Sequence, residues 1–219
     1  MKQRILAILL SLTMMFTLVP TAMAEGSGPV AQIGEITYAT LKAAFEGAKD
    51  GDTITLTDDI KVEDTLVVTK TLTLDLAEHT LSNEKDIWSD DNWSLISVRG
   101  SGNLTITGNG TFAAKENDCY AVDVQESATV TIKNGTFIGN IHAVYVFAGT
   151  ANVEGGTYSV QQKYPDSAKG DEFVLNCYDA NRANGTARIN VTGGTFKNFN
   201  PADNKAEGEG NNFADNSLV

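Results

Sequence analysis

Residues 189–196 read INVTGGTF, and this stretch decides the fold. Its first half places apolar residues at alternate positions, which is the pattern of a half-buried β-strand. A Gly-Gly pair follows, and then a threonine and a large aromatic residue. Because glycine and asparagine tolerate the positive φ angles that sharp corners need, the stretch predicts a strand, a tight corner and the start of a second strand.

The same pattern recurs four more times along the chain. Three copies align with the first without a gap, and one carries an extra residue in its turn. In chain order the copies are LDLAEHTL at 74–81, LTITGNGTF at 104–112, VTIKNGTF at 130–137 and ANVEGGTY at 151–158. The last apolar residues of the five copies are 31, 25, 21 and 38 residues apart. The shorter spacings suit one coil of a β-solenoid, and the longer ones suit coils with loops at about 83–94 and 161–187.

Stacked coils place equivalent residues in columns, with neighbours about 4.8 Å apart. One predicted interior column contains Leu76, Ile106, Ile132, Val153 and Val191. The other contains Leu81, Phe112, Phe137, Tyr158 and Phe196. A further strand of each coil is predicted at 95–98, 121–124, 143–146 and 173–175.

These patterns predict an all-β fold, a parallel β-helix of about six coils whose repeats occupy residues 61–199. The alternative is an antiparallel β-sandwich with hairpins at the Asn-Gly steps. Equivalent motifs at coil-length intervals favour the β-helix.

The N-terminal segment, residues 1–24, has the features of an export signal. Two basic residues precede an apolar run, and Ala22-Met23-Ala24 is a cleavage signature. The mature chain is therefore expected to begin at Glu25, and the protein is expected to be secreted or to lie on the cell surface. The apolar run is short for a membrane span, and no later segment resembles one, so no membrane insertion is expected after cleavage.

The remaining boundaries follow from composition and helix signals. A leader is predicted at 25–34, a helix and the first strand at 35–60, and a polar C-terminal tail at 200–219. Thr40 is the expected N-cap of the helix, whose apolar residues recur on one face.

The charge balance excludes several kinds of partner. Acidic residues outnumber basic ones by 28 to 16, for a formal net charge of −12, and removal of residues 1–24, with two bases and no acids, makes it −14. This balance argues against nucleic acid and against anionic membrane surfaces. No metal site or cofactor is predicted, because two Cys and two His do not form a usual zinc pattern; Ca²⁺ is compatible with the acidity, but no motif supports it.

Export makes a disulfide between Cys119 and Cys177 chemically feasible. The two residues do not occupy the same place in the repeat, so two buried thiols are the favoured interpretation.

The mature sequence resembles the right-handed parallel β-helix proteins of the pectate-lyase-like superfamily, and more narrowly exported surface proteins of Gram-positive gut bacteria. The resemblance is carried by YATLKAAFEGAKDGDTITLTDDI at 38–60, LTLDLAEHTLS at 72–82 and INVTGGTFKNFNPADN at 189–204. It implies that the helix covers the open N-terminal end of the coil stack, with Leu41, Ala44, Phe45 and Ala48 on the covering face. It is specific for the fold and says little about function.

Catalysis requires residues that the sequence does not bring together. A polysaccharide lyase needs carboxylates that hold Ca²⁺ and an arginine base, but the available residues, Asp75, Asp123, Arg99 and Arg188, are scattered. Outward-facing Asp and Arg side chains of a solenoid are expected to be solvated. A glycosidase needs paired acids, and the Asp90-Asp91 pair lacks the motifs that accompany such acids in β-helix glycosidases. No catalytic residue is therefore predicted, and a polysaccharide lyase or glycoside hydrolase is the alternative function.

The most distinctive local feature is the loop at 83–93, which contains both tryptophans of the chain among acids and amides. The candidate ligand-binding residues are Trp88, Asp90, Asp91, Asn92 and Trp93. Aromatic rings stack on the C–H faces of sugars while neighbouring polar groups bind the hydroxyls. In the competing interpretation, which the pattern favours, the rings only cover the coil edge. The leading function is an exported, non-catalytic binding or adhesion-type module, with a glycan or another host or cell-surface molecule as its candidate ligand.

Overall fold

A computed structural model describes residues 28–115, 119–162, 173–202 and 213–214. Within these ranges the chain is a parallel β-helix, in which equivalent strands of successive coils stack into three sheets. The predicted export signal lies outside the described residues, so its cleavage stays a prediction.

The elements before the first coil are β1 (Ala31–Ile33), β2 (Ile36–Tyr38) and α1 (Leu41–Gly47). Six coils follow in the described residues, five with three strands and the last with two. In chain order their strands are β3 (Thr53–Leu56), β4 (Ile60–Val62), β5 (Leu66–Val68), β6 (Thr71–Asp75), β7 (Thr80–Asn83), β8 (Ser94–Val98), β9 (Asn103–Thr107), β10 (Thr111–Ala113), β11 (Tyr120–Val124), β12 (Thr129–Ile132), β13 (Thr136–Gly139), β14 (Val144–Val146), β15 (Gly149–Val153), β16 (Thr157–Val160), β17 (Leu175–Cys177), β18 (Ala187–Val191) and β19 (Thr195–Phe196). A short helix, α2 (Asp179–Ala183), lies between β17 and β18.

The strands form three sheets that run along the stack. The first sheet has the order β18-β15-β12-β9-β6-β3-β1-β2, the second β19-β16-β13-β10-β7-β4, and the third β17-β14-β11-β8-β5. Strands of neighbouring coils pair in parallel, whereas β1 pairs with β2 and β3 in antiparallel fashion. The predicted parallel β-helix of about six coils is confirmed, and the antiparallel sandwich is excluded.

An aromatic ladder occupies the second sheet's interior column. Phe137 stacks between Phe112, at a centroid distance of 5.0 Å, and Tyr158, at 5.2 Å, and Tyr158 stacks on Phe196 at 5.0 Å. The pairing register places Leu81 in the same column, as predicted. Phe196, at the end of the ladder, is half-buried rather than buried as expected, because no further ring of this column covers it in the described residues.

The interior column of the first sheet differs from the prediction at one position. The residue that pairs with Ile106 is Leu74, not Leu76. The corner after β6 is longer than the later corners, and it turns through Ala77 at a φ of 50°. Leu76 is still fully buried, but it lies in the corner, where its side chain occupies the space next to Gly110 and Gly135.

The N-terminal helix covers the first coil as predicted. Thr40 accepts a hydrogen bond from the Ala43 N–H at 3.1 Å, and the apolar face of α1 is buried. Lys70 donates to three carbonyl oxygens at the end of this helix, at 2.7–2.9 Å. The segment predicted to be a leader contributes β1, so part of it belongs to the folded domain.

The C-terminal coils differ from the prediction in two ways. The last strand of the third sheet is Leu175–Cys177, two residues later than expected, and the short helix α2 within the predicted loop was not foreseen. In the predicted polar tail, the Val191 N–H donates to the Phe213 carbonyl oxygen at 2.8 Å, so residues 213–214 contact the last coil. Neither described helix is long and apolar enough to span a bilayer.

Cys119 and Cys177 are both buried thiols that are not joined by a disulfide. Burial raises the pKa of the Cys119 thiol to about 12, so this sulfur stays protonated at neutral pH. The favoured interpretation of two core thiols is confirmed.

Candidate functional site

The loop between β7 and β8, residues 84–93, folds into a compact hairpin against the third sheet. Its Ile87 side chain is buried, which anchors the loop to the core. The Asp86 carboxylate accepts a hydrogen bond from the Trp88 N–H at 2.9 Å. Ser89 and Asn92 form a two-residue bridge through backbone hydrogen bonds of 2.8 and 3.3 Å. The turn between them therefore presents Asp90 and Asp91 to solvent.

Arg99 fixes the end of this loop. Its Nη2 donates to the Asp91 carbonyl oxygen at 2.5 Å and to Asn92 Oδ1 at 2.9 Å. Its Nε donates to Ser97 Oγ at 2.7 Å, which in turn fixes the guanidinium on the sheet. Since charged donors form stronger hydrogen bonds than neutral ones, Arg99 holds the hairpin in one position.

Two columns of outward-facing side chains cover the third sheet below the loop. Because Ile96 and Val98 point into the core, their neighbours in the strand point outward. The register places Ser97, Asp123, Tyr145 and Asn176 in one outward column. The residues just past the paired segments form the second outward column, Arg99, Gln125, Phe147 and Tyr178.

Four aromatic side chains form a continuous row across this face, and we call them the aromatic row: Trp88, Trp93, Phe147 and Tyr178. Successive ring centroids are 6.0, 6.1 and 4.9 Å apart. Trp88 is 43% exposed and Tyr178 is 44% exposed, while the two rings between them are half-buried. The row therefore combines rings that the fold supports with ring surface that faces solvent.

A second group of rings lies beside the aromatic row and supports it. Tyr145 makes an edge contact with Trp93 at 6.2 Å, and Tyr120 makes one with Trp88 at 5.6 Å. Tyr120 and Tyr145 pack against each other at 5.1 Å. These contacts fix the rings of the row in place before any ligand binds.

His142 completes this group as a buried neutral imidazole. It stacks on Tyr145 at 5.3 Å and lies 2.7 Å from the Phe173 carbonyl oxygen through Nδ1. A carbonyl oxygen only accepts, so Nδ1 carries the proton and Nε2 accepts from Asn176 Nδ2 at 3.1 Å. Burial lowers the pKa of His142 to about 4, which keeps the ring uncharged at neutral pH.

Asp123 differs from its expected place as a solvated surface residue, because its side chain is fully buried. Oδ1 lies 2.7 Å from Ser94 Oγ, and Oδ2 accepts from Gln125 Nε2 at 2.6 Å. Ser94 Oγ also lies 2.8 Å from the Ile96 carbonyl oxygen, so that carbonyl and Asp123 Oδ1 are both acceptors for its single hydroxyl proton. Burial raises the pKa of Asp123, and hydrogen bonds from Ser94, Ser97 and Gln125 partly oppose that shift.

The structure brings all five predicted site residues into the one hairpin. Asp90 and Asp91 are exposed, Asn92 and Trp93 are half-buried, and Trp88 is largely exposed. Trp93 fits the interpretation in which the ring covers the coil edge, and Trp88 fits the one in which the ring contacts a ligand. That these residues bind a ligand stays a prediction.

Sequence reasoning missed the residues that extend the site onto the sheet. Tyr145 lies within the predicted strand at 143–146, whereas Phe147 and Tyr178 occupy equivalent positions directly after the observed strands β14 and β17. The signal was present in the sequence as aromatic residues at or just after alternating apolar pairs. Alignment of those strands at the correct register would have revealed them.

A cavity of about 840 Å³ lies apart from this face, at the N-terminal end of the stack between α1, β4 and β5. Apolar side chains of the first coil line it together with Lys61, Glu63 and Lys70. Its lining residues do not include any residue of the hairpin.

In the part of the chain that the structure describes, no three His, Cys, Asp or Glu side chains lie close enough to hold a metal ion. Comparison with known proteins identifies no relative: no family model matches the sequence, and neither a curated protein nor a solved structure matches it significantly.

Proposed function

We propose that the protein is an exported, non-catalytic binding module of the adhesion type, which holds glycans on the outer face of its third sheet. The observation that carries this proposal is the aromatic row, with exposed rings at Trp88 and Tyr178 and polar side chains beside them. Large exposed apolar surfaces rimmed by polar groups are typical of interaction sites.

The row supplies the contacts that a sugar chain requires. Its rings stack on the C–H faces of the sugar, and the amides and carboxylates of Asn92, Asp90 and Asp91 bind hydroxyl groups. Because Arg99 and the supporting rings already order the site, binding costs little loop entropy. A few stacking contacts offset only part of the association entropy, so we expect a Kd on the order of high micromolar to millimolar.

The finer family assignment belongs to the same proposal. The repeat corners, the capping helix and the export signature support a member of the pectate-lyase-like β-helix proteins, of the kind exported by Gram-positive gut bacteria. This assignment places the protein outside the cell, where host and cell-wall glycans are its candidate ligands.

The test uses the chain from Glu25 on a glycan array, followed by titration of the best oligosaccharide. Trp88→Ala and Tyr178→Ala should each weaken binding about three- to tenfold, since an aromatic contact contributes roughly 0.5–1.5 kcal/mol beyond its area. The matched control is Ile36→Ala, which removes another exposed apolar side chain, 62% exposed, on β2. The melting temperature of all three variants should stay close to that of the parent. If Trp88→Ala and Tyr178→Ala unfold the domain, the rings are structural and the proposal fails.

A polysaccharide lyase or hydrolase is the second candidate, and Asp123 is the observation that favours it. A buried carboxyl with a raised pKa beside Arg99 is the kind of group that acid catalysis uses. Asp123 is fully buried, however, so a substrate reaches it only after neighbouring side chains move. Release of reducing or unsaturated ends from polysaccharides, abolished by Asp123→Asn, would establish the enzyme in place of the binding module.

A further inference from the structure

We propose that the ligand of the aromatic row is a glycan that carries free amines, so that it is cationic at mildly acidic to neutral pH. This inference rests on the proposed glycan site and adds the chemical class of its ligand. It follows from the charges that surround the row.

Carboxylates lie at both ends of the aromatic row. Asp90 and Asp91 are exposed in the hairpin turn, and neither carboxylate has a hydrogen bond or ion pair among the described residues. At the other end, Asp179 follows Tyr178 directly and is also exposed. These groups are therefore available to a cation that binds along the row.

Three cations near the hairpin already have partners within the protein. Lys61 pairs with Glu84, and Lys85 pairs with Glu63 at 2.7 Å. Arg99 is committed to the loop and to Ser97 through three hydrogen bonds. The net charge of the whole chain is −12, so long-range electrostatics favour the approach of cationic polysaccharides over acidic ones.

The rings select for the same charge. The face of an aromatic ring carries negative electrostatic potential and attracts an ammonium group placed within about 6 Å of its centre. Exposed ring faces at Trp88 and Tyr178 thus reinforce the neighbouring carboxylates. A neutral sugar uses the stacking surface alone, whereas an amino sugar uses both the surface and the charge.

The shape of the row favours a sugar chain over an isolated ammonium ion. One ammonium group needs one or two rings, but the row continues through four rings with contacts of 6.0, 6.1 and 4.9 Å. An amino glycan presents a C–H face and an amine in each unit, so successive units meet successive rings.

The experiment is a titration with four matched probes at pH about 6, where free amines are largely protonated and aspartates are ionised. The probes are the glucosamine tetramer, its fully N-acetylated form, cellotetraose as the neutral chain, and tetralysine as a cation without sugar. At low salt the glucosamine tetramer should bind about three- to tenfold more tightly than cellotetraose, as expected for a few exposed charge contacts. In about 0.5 M salt the advantage should fall below about twofold.

The variant for this test is Asp90→Asn with Asp91→Asn, which removes two charges from an exposed turn. It should reduce the advantage of the glucosamine tetramer over cellotetraose, both measured on the variant, to below about twofold, because the new amides can still bind hydroxyl groups but carry no charge. If the glucosamine tetramer binds no more tightly than cellotetraose, or if the double variant keeps the full difference, the amine inference is wrong. In that case, binding of cellotetraose that depends on Trp88 would still support the glycan site. If tetralysine binds as tightly as the glucosamine tetramer, the site recognises charge and not an amino glycan. If no oligosaccharide binds, the proposed function itself fails.

Discussion

Removal of one ring from the aromatic ladder should destabilise the protein according to the position of that ring. Phe137 is fully buried and stacks on both faces, at 5.0 Å on Phe112 and 5.2 Å on Tyr158. Phe196 is half-buried and stacks on Tyr158 alone at 5.0 Å, with a tilted contact to Phe199 at 6.0 Å. The two residues are chemically identical and belong to one column, so they form a matched pair.

The expected magnitudes follow from these contacts. A Phe→Ala change in a core costs about 3–5 kcal/mol. Phe137→Ala should reach the upper part of that range, about 4–5 kcal/mol, because the rings on both sides lose a stacked partner and the parallel strands hold the column open. Phe196→Ala removes a ring that is already partly hydrated, and it should cost about half as much. Phe137→Leu, which fills most of the volume, should cost about 1–2 kcal/mol.

Urea unfolding followed by far-UV circular dichroism measures these differences as shifts in midpoint at constant slope. A domain near the middle of the usual range of 5–15 kcal/mol, at about 10 kcal/mol, remains folded after the largest of these losses. If Phe137→Ala costs no more than Phe196→Ala, the stacked column does not act as the core of the coil stack. That result would refute the register described here.

Three further predictions concern titration, backbone geometry and processing. Because burial lowers the pKa of His142 to about 4 while the unfolded value is about 6.5, unfolding takes up a proton between these pH values. Stability should therefore fall by up to about 3 kcal/mol as the pH drops through that window. The stability of His142→Gln should depend less steeply on pH than that of the parent. Asp123 makes an opposite contribution in both proteins, so the comparison cancels it. An equal pH dependence in the two proteins would contradict a buried, neutral His142. Gly149→Ala should lower the free energy of unfolding by more than about 2 kcal/mol, since its φ is 97° and the new Cβ would lie 2.3 Å from the Ala128 carbonyl oxygen. Gly34→Ala is the control: its φ is 58° but its Cβ would lie in open space, so it should lower the free energy of unfolding by only about 1–2 kcal/mol in the same denaturation assay. N-terminal sequencing of exported protein should give Glu25, and a retained Met1 would disprove cleavage.

The fold was predictable from the sequence because its corners repeat. The one register error, Leu76 in place of Leu74, has a physical cause. Leu72, Leu74 and Leu76 alternate with polar residues, so a shift of two positions keeps every side chain on the same face. Only the length of the corner distinguishes the two alignments, and that length depends on Ala77 adopting a left-handed conformation that alanine seldom adopts.

The part of the candidate site that lies in one loop was predictable from the sequence, and the part that comes from separate strands was not. Trp88 and Trp93 stood out because they share one loop. Phe147 and Tyr178 are isolated in sequence, and the strand predicted at 173–175 was displaced by two residues from the observed Leu175–Cys177. With the strand placed two residues too early, Phe147 and Tyr178 did not align in one outward column. Asp123 was expected in solvent because no local pattern shows that neighbouring coils bury it.

The placement of the hairpin within the coil stack has a consequence for cooperativity. The strands of each coil pair only with those of neighbouring coils in the described residues, so unfolding free energy accumulates coil by coil, and the terminal coils open most readily. The hairpin leaves the second coil, and the rings that support it come from the third to the fifth coils. Fraying of the first or last coil therefore leaves the proposed binding face intact. That face is lost only when the central coils open together. Amide hydrogen exchange in β8, β11 and β14 should accordingly be the slowest in the chain, with β4 and β19 exchanging through smaller openings.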